Sequence, residues 1–174
     1  MPLSAVETEI ALLQKFKKNQ IDLLRNGVRI EGVTGRSIVE LVKEACVARV
    51  RLSNGFLTSA RRLLSLRPML HRDAISRSYY AMYHAGRAVA FFANQGDDYE
   101  PHDKLAGGLP PDFPDVERWR NALKDARLLR NEADYEPFPQ GNAGFRRTSS
   151  QMMRVAVEFT TECTTYLRGK GCGL

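Results

Sequence analysis

Apolar residues recur at helical spacing along most of the chain and predict five α-helices. At about 3.6 residues per turn, residues three and four positions apart lie on one side of a helix. The first predicted helix begins at the capping-box sequence Ser4-Ala5-Val6-Glu7 and ends near Gly27, where a glycine-rich loop begins. The other helices are expected at about 37–66, 72–94, 114–135 and 145–169. Only the glycine-rich loop could hold a short extended pair, so the predicted fold class is all-α.

The predicted architecture is an antiparallel, up-and-down four-helix bundle with an additional N-terminal helix. Residues 1–36 hold the first helix and the glycine-rich loop, residues 37–168 form the bundle, and residues 169–174 are a flexible tail. Short to moderate connections favour this arrangement, because they place consecutive helices side by side and antiparallel. Gly55 could kink the second helix, since glycine is a poor helix former. Cys172, in the glycine-rich tail, is expected to be exposed.

The stretch 123–135, LKDARLLRNEADY, places a charged residue on the apolar side of its helix. Arg130 is in line with four apolar residues at helical spacing: Trp119, Leu123, Ala126 and Ala133. A buried guanidinium needs a carboxylate, a carbonyl or a bound phosphate, because an unpaired buried charge costs several kcal/mol. Asn131, Asp134 and Tyr135 follow within one turn, so this cluster is the first candidate site. A structural ion pair, inside one subunit or between two, explains the arginine equally well.

Polar residues on the helix at 72–94 form a second candidate surface. Arg77, Tyr80, His84 and Arg87 lie opposite the apolar stripe, at offsets of three, seven and ten residues. Such a row could grip a phosphodiester, or it could simply face water. His102 lies in the long loop that follows this helix and could reach the same site.

The charge of the chain is concentrated in one segment. The net charge is +6, and residues 49–87 alone carry eight arginines against one acid, Asp73. A concentrated arginine surface is typical of proteins that bind RNA, DNA or another polyanion. A solvated helix face or an acidic protein partner would also account for it.

Neither a metal, a cofactor nor a membrane is expected from the sequence. Cys46, Cys163 and Cys172 form no C-x-x-C pair and have no histidines at zinc-ligand spacing. No apolar run approaches the roughly 20 residues of a membrane span, and the N-terminal sequence does not resemble a secretory signal. A cytoplasmic location is the resulting expectation.

Three sequence segments together resemble the HEPN domain superfamily, the small helical domains of prokaryotic toxin–antitoxin and antiviral systems. They are RDAISRSYYAMYHAGRAVAFF, PHDKLAGGL and ARLLRNEADYEPF, and the resemblance covers about residues 53–167. It is closest to small stand-alone HEPN proteins with an S-Y-Y-A-x-Y pattern in the second bundle helix and R-x-x-A-D-Y at the end of the third. The resemblance implies a homodimer and, in active members, metal-independent cleavage of RNA by an R-(polar)-x-x-x-H motif.

The active motif is incomplete in this chain. Arg130 and Asn131 match its arginine and polar residue, but Tyr135 stands where the resemblance implies histidine. A tyrosine with a pKa near 10 is a poor base at neutral pH. Asp134 would need a raised pKa to act as both acid and base. Whether the protein is an enzyme therefore stays open at this stage.

Three hypotheses follow from the resemblance and the residues. In the first, the protein acts on RNA, either by binding it or by cleaving it at a rearranged centre that combines Arg130 with His84 or His102. In the second, it is a non-catalytic module that binds a nucleic acid or nucleotide, or docks an antitoxin partner such as a nucleotidyltransferase. In the third, it is a structural dimer held by ion pairs between Arg130 and Asp134. Tyr135 is also a candidate modification site.

Overall fold

The structure of the protein is a computed structural model that describes residues 4–137 and 141–174. Over these residues the chain is helical and contains no β-strand, so the all-α prediction is confirmed. There are six α-helices in the described part: α1 Ala5–Leu13, α2 Lys18–Thr34, α3 Ile38–Ser65, α4 His71–Asn94, α5 Val116–Tyr135 and α6 Arg146–Gly169. Two short 3₁₀ helices, Leu105–Gly108 and Asn142–Phe145, lie in the connections before α5 and α6.

The chain divides into two compact units, one ending at Leu41 and the other spanning Val42–Leu174. In the first unit, the predicted capping box at Ser4 is confirmed. The backbone N–H of Glu7 donates to the Ser4 hydroxyl at 3.2 Å, and the N–H of Ser4 donates to the Glu7 carboxylate at 2.8 Å. Both hydrogen bonds satisfy amide groups that a helix start leaves free.

The prediction of one first helix followed by a glycine-rich loop is wrong. α1 ends at Leu13, and α2 begins at Lys18 with the Gln20 side chain accepting a 2.9 Å hydrogen bond from the Lys17 backbone. α2 then continues through Gly27 as far as Thr34. An interior glycine costs a helix only about 1 kcal/mol, so it weakens the helix without ending it. The helix ends at Gly35, whose φ of +64° is a conformation that L side chains rarely adopt.

Helices α3 to α6 of the second unit run alternately up and down, which confirms the predicted bundle. Hydrogen bonds from Cys46 to the Ala88 carbonyl (3.5 Å) and from Ser53 to the Ala81 carbonyl (2.7 Å) show that α3 and α4 are antiparallel. Gly55 does not interrupt α3, because the helix is continuous from Ile38 to Ser65. The helices α5 and α6 continue this alternation: α5 is antiparallel to α4, and α6 is antiparallel to α5.

Contacts near both ends of α5 fix its direction. Near its C-terminus, the Arg72 Nε of α4 donates to the Ala133 carbonyl at 2.6 Å. Near its N-terminus, the Trp119 ring lies 5.0 Å from the Phe159 ring of α6. Trp119 is only 1% exposed, and the Arg118 guanidinium lies 4.4 Å from its ring. The apolar stripe predicted for α5 is confirmed, because its buried residues are Trp119, Leu123, Ala126, Arg130 and Ala133.

Small residues let α4 and α6 approach closely at the centre of the bundle. A Cβ atom at Gly86 would lie 3.3 Å from the Phe159 ring, so any larger residue there would push against the core. α4 also contributes several buried alanines: Ala74, Ala81, Ala85, Ala88 and Ala90. This close packing makes α4 the central helix of the domain, and it is the helix that carries most of the aromatic residues described below.

The end of the chain packs against the bundle rather than projecting from it. Cys172 is only 5% exposed, so its predicted exposure is wrong. Its backbone N–H donates to the Leu167 carbonyl at 3.0 Å, and Gly171 adopts a φ of +82° that turns the chain back after α6. Cys46 and Cys163 are buried, as predicted. Within the described residues, none of the helices is both long and apolar enough for a membrane span.

Candidate functional site

Arg130 lies inside a cage of three tyrosines. It is 7% exposed, and its guanidinium carbon lies 5.1, 5.8 and 5.7 Å from the ring centres of Tyr79, Tyr80 and Tyr135. A cation within about 6 Å of an aromatic ring is attracted by the negative face of the ring. The rings therefore supply the partners that the position of Arg130 in the apolar stripe required, and α4 provides two of the three.

The hydrogen bonds of Arg130 leave part of its guanidinium unpaired. Its Nη1 donates to the Tyr135 hydroxyl at 3.2 Å and lies 3.9 Å from the Asp134 carboxylate of the same helix. Its Nε is buried and has no hydrogen-bond partner among the described residues. The distance from Arg130 to the Asp134 carboxylate is thus at the upper limit for an ion pair. Among the described residues, Arg130 therefore has no carboxylate within ordinary hydrogen-bond distance.

His102 is held against the same cage by the loop between α4 and α5. Its Nδ1 lies 2.6 Å from the Tyr79 hydroxyl, and its ring stacks on that of Tyr83 with 4.2 Å between ring centres. The Tyr83 hydroxyl donates to the backbone carbonyl of Glu100 at 2.8 Å, which fixes the loop just before His102. Tyr79 is therefore in contact with both Arg130 and His102.

Burial shifts the pKa values of His102 and Tyr79 in opposite directions, and the nearby positive charges lower both. The pKa of His102 is lowered, first by burial and then by the charges of Arg130, Arg127 and Arg87. Burial raises the pKa of Tyr79 to about 12, and the nearby arginines offset only part of that rise. At neutral pH the imidazole is therefore uncharged and the phenol is protonated. In the tautomer in which Nδ1–H donates to the Tyr79 oxygen, Nε2 of the neutral imidazole is free to accept a proton, as a general base must.

Arg127 is a neighbour of this site that the sequence reasoning missed. It lies one helical turn before Arg130, and its charge acts on both His102 and Tyr79. With Lys124 it lines a small recess that also reaches Tyr79 and His102. The sequence signal for Arg127 is its spacing of three residues from Arg130, because residues three apart lie on the same side of a helix.

His84 lies in a different environment from His102. Its ring stacks on Phe56 at 5.3 Å, and its Nδ1 is buried without a hydrogen-bond partner in the described part of the chain. Burial, followed by the charges of Arg87, Arg49 and His102, lowers its pKa to about 4. The structure thus brings His102, rather than His84, into contact with the tyrosines around Arg130.

The remaining residues of the predicted polar row are divided between two roles. Tyr80 belongs to the cage and stacks on Phe56 at 5.5 Å, and the exposed Arg77 guanidinium lies 5.7 Å from the same Phe56 ring. Arg87 forms an ion pair with Asp97, to which Arg49 also donates at 3.1 Å. Two arginines of the basic segment therefore already hold the loop acid Asp97. Arg72 donates to the backbone carbonyls of Ala133 in α5 and of Glu136 just after it, so it is likewise engaged.

Exposed arginines still leave a basic surface on α3. Arg51, Arg61 and Arg62 are exposed, and they are available to an external anion. Within residues 4–137 and 141–174, no group of three histidine, cysteine or acidic side chains is arranged to hold a metal ion.

Comparison with known protein families identifies the domain. Residues 48–169 match the HEPN domain, and this match covers well over half of the chain. The chain belongs to the HEPN domain family. A search of curated proteins found no match to the sequence.

The HEPN match contains all the residues described around Arg130. It begins within α3 and extends to the end of α6, so α1 and α2 lie outside it. In this HEPN domain, the residue five positions after Arg130 is Tyr135, which is 68% exposed and accepts a hydrogen bond from Arg130. The histidine that contacts the cage comes instead from the loop that precedes α5. The sequence prediction does not include Tyr79 and Tyr83, although they are four residues apart and therefore lie on one side of α4.

Proposed function

We propose that this HEPN protein acts on RNA as part of a prokaryotic toxin–antitoxin or defence system, in a dimer cleft around Arg130. Arg130 binds the phosphodiester, and His102 takes the role of the histidine that the motif lacks. One observation carries the proposal: Arg130 and His102 both contact the Tyr79 side chain. The long 3.9 Å distance from Arg130 to the Asp134 carboxylate and the neighbouring charge of Arg127 support the binding of an anion here.

The proposed reaction needs no metal ion. His102 accepts the proton of a ribose 2′-hydroxyl, the 2′-oxygen bonds to phosphorus, and the bond from phosphorus to the 5′-oxygen breaks. The products are a 2′,3′-cyclic phosphate and a 5′-hydroxyl, which receives a proton. Arg130 stabilises the negative charge that builds up on the phosphate in the transition state. The proton that His102 takes from the 2′-hydroxyl is then passed to the leaving 5′-oxygen, so the reaction balances with an imidazole that starts uncharged.

The test is RNA cleavage by the purified protein in the presence of EDTA. We expect products that end in 2′,3′-cyclic phosphate. Arg130→Ala should slow cleavage by about 10²- to 10³-fold, as loss of a charge-stabilising donor does. His102→Ala should slow it by about 10²- to 10⁴-fold, the usual contribution of a general base.

Two controls separate these effects from misfolding. His84→Phe keeps a ring beside Phe56 and should cleave as the unchanged protein does, because His84 does not touch the cage. Arg130→Lys keeps a positive charge within the tyrosine cage and should fold, which urea unfolding would verify. Cleavage that persists in both Arg130→Ala and His102→Ala would contradict the proposed centre.

A second candidate function is favoured by the burial of Arg130. With 7% exposure and three rings around it, Arg130 could serve mainly to order the domain, while the basic face of α3 binds a nucleic acid or docks a partner such as a nucleotidyltransferase. In that case the protein would bind RNA without cutting it. Arg130→Ala would then lower the unfolding free energy more than the affinity for RNA.

A further inference from the structure

The orientation of the His102 ring depends on more than its hydrogen bond to Tyr79. His102 belongs to the loop between α4 and α5, and its Nδ1 lies 2.6 Å from the Tyr79 hydroxyl. A single hydrogen bond fixes one atom of a ring and leaves the ring able to turn about that bond. The plane of the imidazole, and with it the direction of Nε2, therefore requires a second contact.

Tyr83 of α4 supplies this second contact. Its ring centre lies 4.2 Å from that of His102, and the two ring planes are inclined by 26°. The rings of Tyr79 and Tyr80 are farther from His102, at 5.6 and 6.1 Å, and Tyr80 meets it edge-on. Offset stacking holds two flat rings nearly parallel. Of these three tyrosines, Tyr83 is thus the one that most closely constrains the plane of the imidazole.

Tyr83 is itself held in place from several sides. It is 5% exposed, and the His84 ring meets it edge-on with 5.0 Å between ring centres. Its hydroxyl donates to the Glu100 carbonyl at 2.8 Å and accepts from Nη1 of Arg87 at 3.2 Å. The Tyr83 ring is therefore a fixed surface for the histidine to stack on.

Arg87 links the Tyr83 ring to the loop that carries His102. Its Nε donates to the Asp97 carboxylate at 2.9 Å, and its Nη2 lies 3.4 Å from the Glu100 carboxylate. Asp97 and Glu100 precede His102 by five and two residues. Because Tyr83 and Arg87 are four residues apart, they lie on one side of α4. That side of the helix holds both the loop and the ring that its histidine stacks on.

We propose that Tyr83 is a positioning residue for the proton transfer by His102. Its ring sets the plane of the imidazole, and its hydroxyl, together with Arg87, holds the loop beside the tyrosine cage. This inference rests on the function proposed above, because it gives Tyr83 a role in the reaction at Arg130. Tyr83 acts only through His102. Such a role is measurable, since a displacement of about 1 Å can slow a reaction about 10²-fold.

RNA cleavage by Tyr83 variants, in EDTA, tests the proposal. Tyr83→Leu removes both the ring and the hydroxyl and should slow cleavage about 10²-fold. Tyr83→Phe keeps the ring and should slow cleavage by about tenfold or less, which corresponds to one lost hydrogen bond. A loss in Tyr83→Phe as large as that in Tyr83→Leu would overturn the role of the ring.

Tyr166→Leu is the matched control. Tyr166 is a partly buried tyrosine of α6 that packs on Phe113 and donates a hydrogen bond to Asp112. Its replacement should leave the rate of cleavage unchanged, and an equal loss in Tyr166→Leu and Tyr83→Leu would overturn the proposal. Urea unfolding verifies that each variant folds. Tyr83→Met, which fills more of the vacated space, takes the place of Tyr83→Leu if the leucine variant does not unfold cooperatively.

A double variant shows whether Tyr83 acts through His102. A protein that carries both Tyr83→Leu and His102→Ala should cleave no more slowly than His102→Ala alone, because the group that Tyr83 positions is already gone. A double variant that is slower by the full effect of Tyr83→Leu would overturn the proposal.

NMR titration of His102 gives a readout that does not depend on cleavage. Burial and the nearby arginines lower the pKa of His102 in the folded protein. In Tyr83→Leu the released ring should have a pKa closer to the ordinary value of 6.5, whereas in Tyr83→Phe the pKa should stay low. An unchanged titration in Tyr83→Leu would overturn the positioning role. If the unchanged protein cuts no RNA, the proposed function and the kinetic role of Tyr83 both fail, and the titration still decides whether Tyr83 holds His102.

Discussion

Single residues of this domain carry chemistry that depends on their surroundings more than on their type. His84 and His102 have the same side chain, and both have a lowered pKa. His102 shares a hydrogen bond with Tyr79, whereas His84 has a buried nitrogen without a partner in the described residues. The sequence alone predicts both histidines as possible partners of Arg130. It cannot distinguish them, because the position of the loop histidine His102 depends on tertiary contacts. Of the two histidines, His102 is the one that contacts a tyrosine of the cage around Arg130.

His84 should make the stability of the protein depend on pH. Its pKa of about 4 in the folded protein lies below the ordinary value of 6.5, so the unfolded chain takes up a proton first as the pH falls. Stability linked to His84 is therefore complete above pH 6.5 and is lost progressively down to about pH 4. We expect urea unfolding of His84→Phe to show a smaller loss over this range than the unchanged protein does. Equal losses in both proteins would contradict the assignment.

Arg130 shows what a residue pattern can and cannot predict. Its place on the buried side of α5 followed from the spacing of Trp119, Leu123 and Ala126, and the structure confirms it. The identity of its partners did not follow, because an apolar stripe does not reveal which helix packs against it. Two of the three tyrosines come from α4, about fifty residues earlier in the sequence.

At the scale of whole elements, the pattern of apolar residues predicted α3 to α6 well and failed at the N-terminus. α4 spans His71–Asn94 against a prediction of 72–94, and α5 ends at Tyr135 as predicted. The prediction ends the first helix at Gly27, although in this segment only Gly35, the residue after α2, has a backbone conformation that favours glycine. No residue of α1 or α2 is buried among those described, so the strong core signal that located the other helices was absent there.

The connection between α4 and α5 is anchored by one acid. Asp97 bridges Arg49 of α3 and Arg87 of α4, and the hydrogen bond from Arg87 is the main reason that the pKa of Asp97 is lowered. The amino-acid pattern does not predict this bridge, because Asp97 is one of several acids in the loop and they form no metal-binding pattern. The bridge holds the start of the loop that carries His102.

Asp97→Asn should destabilise the domain by about 1–3 kcal/mol, because it leaves two partly buried arginines without their counter-ion. Asp98→Asn is the matched control, since Asp98 is the next residue and is exposed. It should change stability by less than about 0.5 kcal/mol. Urea unfolding at neutral pH measures both values. A similar effect of the two substitutions would show that Asp97 makes no specific contribution.

At the scale of the whole molecule, the net charge of +6 overstates the basic surface that is available for binding. Of the eight arginines between residues 49 and 87, Arg49 and Arg87 are paired with Asp97, and Arg72 is bonded to carbonyls of α5. A count from the sequence treats all eight arginines as equally available for binding. The exposed arginines of α3 remain, and they lie outside the cage around Arg130.

If the exposed arginines bind RNA, affinity should fall as salt concentration rises. Each phosphate that is neutralised on a single strand contributes about −0.7 to the slope of log affinity against log salt. Titration of a fluorescent RNA at several salt concentrations measures this slope. Affinity that does not change with salt would contradict the role of the arginine surface.

The single tryptophan of the protein offers a built-in signal for all the variants proposed above. Trp119 is packed against Phe159 and Arg118, and it lies eleven residues before Arg130 on the same helix, about 16 Å along the helix axis. Its fluorescence therefore reports whether α5 and α6 are packed together, without a label and without direct contact with the substituted site. A variant that keeps the native emission but loses cleavage has lost chemistry rather than structure. The same measurement can follow unfolding in urea, so folding and function can be separated on one sample.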